Sequence, residues 1–261
     1  MKIGFSSLAL FMKPLDKIFQ IAKKDGFAGI EILCEGPYWP RYLINNRKKL
    51  KIDEIADLAK SCNIEIFLHA PTIDLNPASM NKGIRDETEK QTIETLNLAD
   101  ILNAEAITTH PGMVHRRERR IRDLAIEYSI ETLKNCQDYA DDIGITLSIE
   151  NMPKKFSYLA NCPVEHKMIV ENVGSSATID WGHANTYKNP LDILKTHNIA
   201  YFHLNDNNGL KDQHLLLGEG TSNFNYEILK CIDMGIIELN SYEDVLKSKK
   251  FLITQLGSEN K

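Results

Sequence analysis

The stretch Ile199-Ala200-Tyr201-Phe202-His203-Leu204-Asn205-Asp206, with Asp212-Gln213-His214 and Gly218-Glu219-Gly220 beyond it, governs the reading of the chain. The apolar run Ile199 to Phe202 reads as a short buried strand that delivers His203 at its end, and a polar loop with an Asp-x-His pair follows. In extended backbone, residues i and i+2 project to one side, so Asp212 and His214 can grip a single cation. Carboxylate with neutral imidazole suits zinc, manganese or iron rather than calcium. Taken alone, the loop reads equally well as a polar turn with solvated side chains. The other strand ends decide the matter.

Working outward, strand-like runs alternate with helix-like ones along the whole chain. Ile3–Ala9, Gly29–Glu35, Glu65–Ala70, Ala106–Thr109, Ile145–Ile149, Ala177–Trp181, Ala200–Leu204 and Ile236–Leu239 are apolar and short, as buried parallel strands are. Between them lie an amphipathic stretch from Pro14 to Gly26 and helical patterns over Lys48–Cys62, Arg85–Leu102 and Arg119–Ile143. Pro163–Val173, Leu191–His197, Phe224–Met234 and Ser241–Phe251 follow, the last with Glu243 placed to complete a cap near Ser241. In Arg85–Leu102, for example, Ile93, Leu96, Ala99 and Leu102 recur at three-to-four spacing. Eight strands alternating with eight helices over about 250 residues predict an α/β fold, a single-domain (β/α)8 TIM barrel covering residues 1–261. A doubly wound open sheet is the runner-up. It is weakened by the lack of any Gly-rich phosphate turn between a strand and a helix.

Composition narrows the class. The 261 residues are 43% hydrophobic and 26% charged, the balance of an ordinary globular protein. No apolar run reaches the length of a membrane span, and Met1-Lys2-Ile3-Gly4-Phe5 reads directly as a strand rather than a signal peptide. Five scattered cysteines, none in a C-x-x-C, favour a reducing cytoplasm. A net charge of −5 argues against a protein coated in nucleic acid, although a local basic face remains compatible with it.

Barrel enzymes work at the carboxyl ends of their strands. Those ends carry His69, His110, Glu150, Asp180 with His183 one turn on, His203 with Asp212 and His214 in the following loop, and Glu238. A single such histidine is more often a hydrogen-bonded polar residue than a ligand. Nine of these side chains on one face are a different matter, and too many for one zinc ion, which takes three or four protein ligands. They match two or three ions with a bridging carboxylate, an arrangement that clamps both oxygens of a displacement at phosphorus.

The motifs carrying these residues resemble a known family. His-x-Pro at His69, Thr-His-Pro-Gly at His110, Ile-Glu-Asn at Glu150 and Ile-Asp-x-x-His at Asp180 look like those of endonuclease IV, in the xylose-isomerase-like barrel superfamily. His-Leu-Asn-Asp and Asp-x-His-x-x-x-Gly-Glu-Gly extend the match in order. The resemblance implies a metal-dependent hydrolase cutting DNA 5′ to abasic sites with two or three Zn2+ ions, Mn2+ or Fe2+ being alternatives. On that pattern His69, His110 and Glu150 hold one ion; Asp180, His203 and Glu238, bridged by Glu150, the second; His183, Asp212 and His214 the third. Glu150 is then the central catalytic ligand. The alternative from the same superfamily is a sugar or sugar phosphate isomerase or epimerase holding one ion on Glu150, Asp180, His203 and Glu238.

The DNA-reading loops depart from the nuclease pattern. Where the family carries an aromatic–aliphatic wedge after its strand-3 histidine, this chain has Pro71-Thr72-Ile73. Tyr38 and Trp39 in the loop after strand 2 are the substitute wedge, or else the cap of a small-molecule pocket. Arg41 with Arg47-Lys48-Lys49-Lys51, and Arg116-Arg117 with Arg119-Arg120-Arg122, are candidate phosphate-backbone contacts; helix starts bathed in solvent are the competing reading. The expected partner is a duplex with abasic sites, or a small sugar under the alternative, with a monomer and no membrane.

Overall fold

Eight parallel strands close into a barrel: β1 (Lys2–Ser6), β2 (Gly29–Leu33), β3 (Glu65–His69), β4 (Ala106–Thr109), β5 (Thr146–Glu150), β6 (Ser176–Asp180), β7 (Ile199–Leu204) and β8 (Met234–Ile237). Each pairs with the next in sequence, and β8 returns to β1. Closure removes both sheet edges and excludes the open-sheet alternative. The computed structural model describes residues 1–196 and 198–257; His197, which ends one expected helix, lies outside them.

Period-two alternation divides each strand between two cores. Outward residues such as Ile30, Ile32, Leu68, Ile107, Leu147 and Ile149 join the main apolar core, shared with the surrounding helices. Inward residues Phe67, Ala106, Tyr201, Met234 and Ile236 form a separate cluster that plugs the floor of the barrel. The register brings Gly4 beside Gly29 and Ile236. A Cβ on Gly4 would lie 2.5 Å from Ile236 Cδ1 and 2.7 Å from the Gly29 carbonyl oxygen, so this interior has room only for hydrogen there. Above the plug, Thr108, Ser148, Thr178 and the Tyr201 hydroxyl meet in a buried polar layer. The functional groups stand above that layer.

Helices Arg119–Ile143 and Pro163–Val173 coincide with the periodic stretches. Other elements differ, for physical reasons. The helix expected over Lys48–Cys62 is broken by Lys51, whose φ of 55° puts it in the left-handed region, leaving Arg47–Leu50 and Ile52–Cys62. The strand expected to reach Trp181 stops at Asp180, whose carboxylate accepts from the His183 amide and caps a short helix, Trp181–Asn185. The expected helix Phe224–Met234 contracts to Tyr226–Lys230, since Met234 already pairs with Lys2 in β8. The region of Leu191–His197 forms a 3-10 helix, Pro190–Lys195. The last helix, Tyr242–Gly257, is capped by the Ser241 hydroxyl accepting from the Asp244 amide, while Glu243 pairs with Lys247 instead of completing the cap. Among the described residues no helix is long and apolar enough to cross a membrane.

Candidate metal centre

The barrel brings all nine candidate ligands to one mouth. They fall into three groups: His69, His110 and Glu150; Glu150, Asp180, His203 and Glu238; His183, Asp212 and His214. Within each group the potential donor atoms lie within 4.8 Å of one another. Glu150, at the end of β5, belongs to two groups. Its Oε1 lies 3.1 Å from His203 Nδ1 and 3.5 Å from His183 Nδ1. Its Oε2 is buried without a well-aligned hydrogen bond, 2.9 Å from His110 Nε2 and 3.5 Å from His69 Nε2. A buried carboxylate oxygen left in this way is costly unless something positive reaches it. Nitrogen and oxygen donors converging on such an atom fit a divalent transition ion, zinc, manganese or iron by donor type.

The imidazoles are held in defined orientations. His69 Nδ1 lies 2.9 Å from the Ala70 carbonyl, His183 Nδ1 2.7 Å from that of Asn151, and His214 Nδ1 2.9 Å from that of Glu238. A carbonyl can only accept, so in each ring Nδ1 carries the hydrogen and the neutral ring presents its Nε2 lone pair. Those Nε2 atoms face carboxylates: His183 and His214 lie 3.4 and 3.2 Å from Asp212 Oδ2. His203 is reversed, with Nε2 on Glu31 and Nδ1 toward Glu150 and Glu238. Asp180 is steered by Asn205 Nδ2 at 2.9 Å and by Asn151, which exchanges hydrogen bonds with the Asp180 backbone.

With no cation in place, protons balance the carboxylates. Burial alone would lift Glu150, but the His203 charge and the adjoining His110 and His69 rings hold it well below the usual carboxylate range. Burial likewise opposes charge on His69, yet the facing Glu150 carboxylate, and then the Glu31 charge, raise it to about 9. His214 rises to about 10 against burial, chiefly through its hydrogen bond to Asp212. His110 moves down, because burial outweighs Glu150 there. Burial lifts Asp180 to about 7, with His183 opposing and Glu150 and Glu238 adding to the rise.

The loop after β7 was expected to place Asp212 and His214 on one side of extended backbone. They do meet, but through a turn: His214 has a φ of 48°, a left-handed conformation costly for a non-glycine residue. Asp206, outside the expected ligand set, organises this loop. Its carboxylate accepts from the backbone amides of Asn207, Gly218, Gly220 and Ser222 at 2.8–3.0 Å. The Gly218-Glu219-Gly220 segment therefore cradles an internal carboxylate. A Cβ on Gly220 would fall 2.2 Å from the Asn207 carbonyl oxygen.

Several of the candidate DNA contacts are paired within the fold. Tyr38 is only 3% exposed, its hydroxyl donating to the Lys13 carbonyl, so it is not placed to wedge into a duplex. Trp39 donates through Nε1 to Gln91, and Arg41 both packs on the Trp39 ring and pairs with Glu94. Arg122 is tied to Glu165, and Arg47 to Asp53. Arg116 lines a separate cavity with His115 and Met80. Glu31, buried in β2, escaped sequence reasoning: it sits inside an apolar run, and only the register points it inward.

The cavity at the ligand cluster measures about 180 Å3, walled by Leu33, Thr72, Met152, Pro153 and Tyr158. A larger surface cavity, about 720 Å3, lies against the helices around Leu15, Leu50 and Ile55 and contains none of the nine residues.

The family described as a xylose isomerase-like TIM barrel matches residues 19–242. The uncharacterized protein MJ1311 of Methanocaldococcus jannaschii is 33% identical over 265 residues, spanning 97% of this chain and 88% of its own. Among solved structures, a D-tagatose 3-epimerase-like protein superposes with a TM-score of 0.86 at 31% identity, covering 100% of this chain and 98% of its own. A D-psicose 3-epimerase solved in the presence of D-fructose shares the fold at 19% identity, with a TM-score of 0.79 and coverage of 98% and 100%.

Proposed function

This chain belongs to the xylose isomerase-like TIM barrel family, and from that premise we propose that it is a divalent-metal-dependent isomerase or epimerase of a small sugar or sugar-like hydroxycarbonyl compound. One observation carries the reading: in the Glu150, Asp180, His203 and Glu238 group, the two glutamates line a cavity of about 180 Å3, with Asp180 and His203 buried behind them. At ~30 Å3 per water that is room for roughly six waters. It is smaller than drug-sized pockets, ~300–1,000 Å3, and suits a monosaccharide rather than a duplex. The likeness to the D-tagatose 3-epimerase-like structure supports the same choice.

A divalent ion in this group would supply positive charge to the substrate's carbonyl oxygen as the neighbouring carbon loses its proton. The two glutamates then differ in role. Both line the cavity, but Glu150 is 1% exposed and enclosed by histidines, so it is held as a ligand; Glu238, 13% exposed, is the more open of the two and takes the proton. In an isomerase Glu238, after exchanging its proton with water, protonates the adjacent carbon; an epimerase needs a second acid to protonate the opposite face of the same carbon, for which Glu150 and the cavity histidines are the available donors. His69, His110, His183 and His214 line the cavity and orient the hydroxyls.

A second reading, phosphodiester hydrolysis of the endonuclease IV kind, draws on the two further ligand groups, which a one-metal isomerase does not need. Three divalent ions against the five carboxylates Glu31, Glu150, Asp180, Asp212 and Glu238 would leave one net positive charge, a setting for a phosphate. The test is a panel of ketose and aldose interconversions run beside nicking of abasic and intact duplexes, with zinc, manganese or iron added. Sugar interconversion without nicking is expected; nicking of the abasic duplex without interconversion overturns the proposal in favour of the second reading.

A further inference from the structure

The ligand groups rest on a buried polar layer with no part in the chemistry described so far, and Glu31 is its junction. Glu31 is fully buried in β2. Its Oε2 accepts from His203 Nε2 at 2.7 Å and from the Tyr201 hydroxyl at 2.7 Å, while Oε1 has no hydrogen-bond partner. Burying a carboxylate costs several kcal/mol after relaxation, and an apolar side chain of similar volume is often at least as stable in such a place. Packing alone therefore does not account for Glu31.

The hydroxyls define a direction. Ser148 donates to the Ile107 carbonyl, so its oxygen is left to accept, and Thr178 is the donor beside it. Tyr201 spends its one proton on Glu31, so its oxygen accepts from Thr108. The Thr108 and Tyr201 dipoles both point toward Glu31, which favours its anionic form. His203 completes the line, with Nε2–H on Glu31 and Nδ1 facing Glu150 and Glu238.

We propose that Glu31, supported by Tyr201 and Thr108, is a positioning residue for the metal: it fixes the His203 tautomer with Nδ1 toward the ion and raises the basicity of that nitrogen. The inference rests on the reading of Glu150, Asp180, His203 and Glu238 as a metal site, and holds for either reaction above. It assigns the carboxylate–imidazole–metal relay to a residue of β2, which reaches His203 of β7 through the barrel interior. Carboxylates behind metal-binding histidines typically matter by 10–100-fold in metal affinity.

The test uses Glu31→Gln, which keeps the volume and an acceptor but removes the charge, and Tyr201→Phe, which removes one donor. Cobalt is titrated into the metal-free proteins against a competing chelator at several pH values. The visible spectrum of the bound ion and the melting temperature of each metal-free protein are recorded alongside. The expected result is cobalt affinity about 10–100-fold weaker in Glu31→Gln, with a shifted cobalt spectrum. Tyr201→Phe should weaken binding less, in the same direction. If Glu31→Gln fails to fold, Tyr201→Phe carries the test by itself. Unchanged affinity and spectrum in a folded variant, or a fall in metal-free stability alone, overturns the inference and makes Glu31 a structural residue. Failure of the wild-type protein to bind cobalt would instead defeat the metal reading on which the inference stands.

Discussion

Replacing Glu150 by glutamine separates the ligand groups more sharply than any other single change. The side chain keeps its shape, but a negative charge disappears between His203 Nδ1 at 3.1 Å and His110 Nε2 at 2.9 Å. Because Glu150 belongs to two groups, both should weaken, whereas His183, Asp212 and His214 keep every donor. Changes one shell further out cost about 10–100-fold in metal affinity, so a direct ligand should cost at least ~1.4–2.7 kcal/mol at the four-residue group. The metal-free protein supplies a second readout. The facing Glu150 carboxylate is the largest influence raising His69 to about 9, so His69 should titrate closer to 6.5 in the variant. The assay is zinc binding by chelator competition, ions counted per chain after desalting, turnover at limiting and excess metal, and histidine titration by NMR. Turnover and metal content should fall together, with His69 moving down. A variant with full metal content, full activity and an unmoved His69 would refute the placement of Glu150 at the hub.

Three further outcomes follow from the same geometry. His69 at about 9 and His214 at about 10 both lie above the ordinary 6.5, so the stabilisation they give the metal-free protein is complete below pH 6.5 and lost as pH rises through 9 to 10; thermal melts should show this decline without metal, and zinc titrations should show proton release and affinity rising over the same window. Gly182→Ala would drive a Cβ to 1.8 Å from Asn205 Oδ1, costing about 1–3 kcal/mol of overpacking and loosening Asp180; an unchanged melting temperature would contradict it. Asp206→Asn removes a charged acceptor from amides on both sides of the Asp212–His214 loop, at about 1.5–3 kcal/mol per charged bond lost; amide exchange should quicken over residues 207–222, and unaltered protection there would count against the role given to Asp206.

Much of the barrel and the nine side chains gathered at its mouth were legible in the sequence, because both depend on local patterns. Short apolar runs ending in His, Asp or Glu mark the carboxyl ends of strands, and in a closed barrel those ends converge whatever the loop details. What the sequence hid depends on register or on distant partners. Glu31 looks like a stray charge in Gly29–Leu33 until pairing with β1 and β3 turns it inward toward Tyr201 and His203. Met234 resembles the tail of a helix, and only the ladder to Lys2 makes it strand. The basic run at Arg41 and Arg47 suggested a phosphate track, but Glu94 lies far along the chain and Asp53 a helix away, so neither pairing could be read locally. The nuclease expectation came from the ligand motifs, which barrels of this family with different chemistry can hold in common; the small cavity and the occupied aromatics are properties of packing.

The most direct test of the account is proton exchange at carbon. The metal-loaded protein is incubated in D2O with a panel of ketoses and ketose phosphates, and deuterium at the carbon beside the carbonyl is followed by NMR. The account predicts deuterium incorporation with at least one member of the panel, abolished by Glu238→Gln while that variant still binds an ion through Glu150, Asp180 and His203. Incorporation undiminished in Glu238→Gln, or no incorporation from any sugar while the same preparation nicks an abasic duplex, would contradict it.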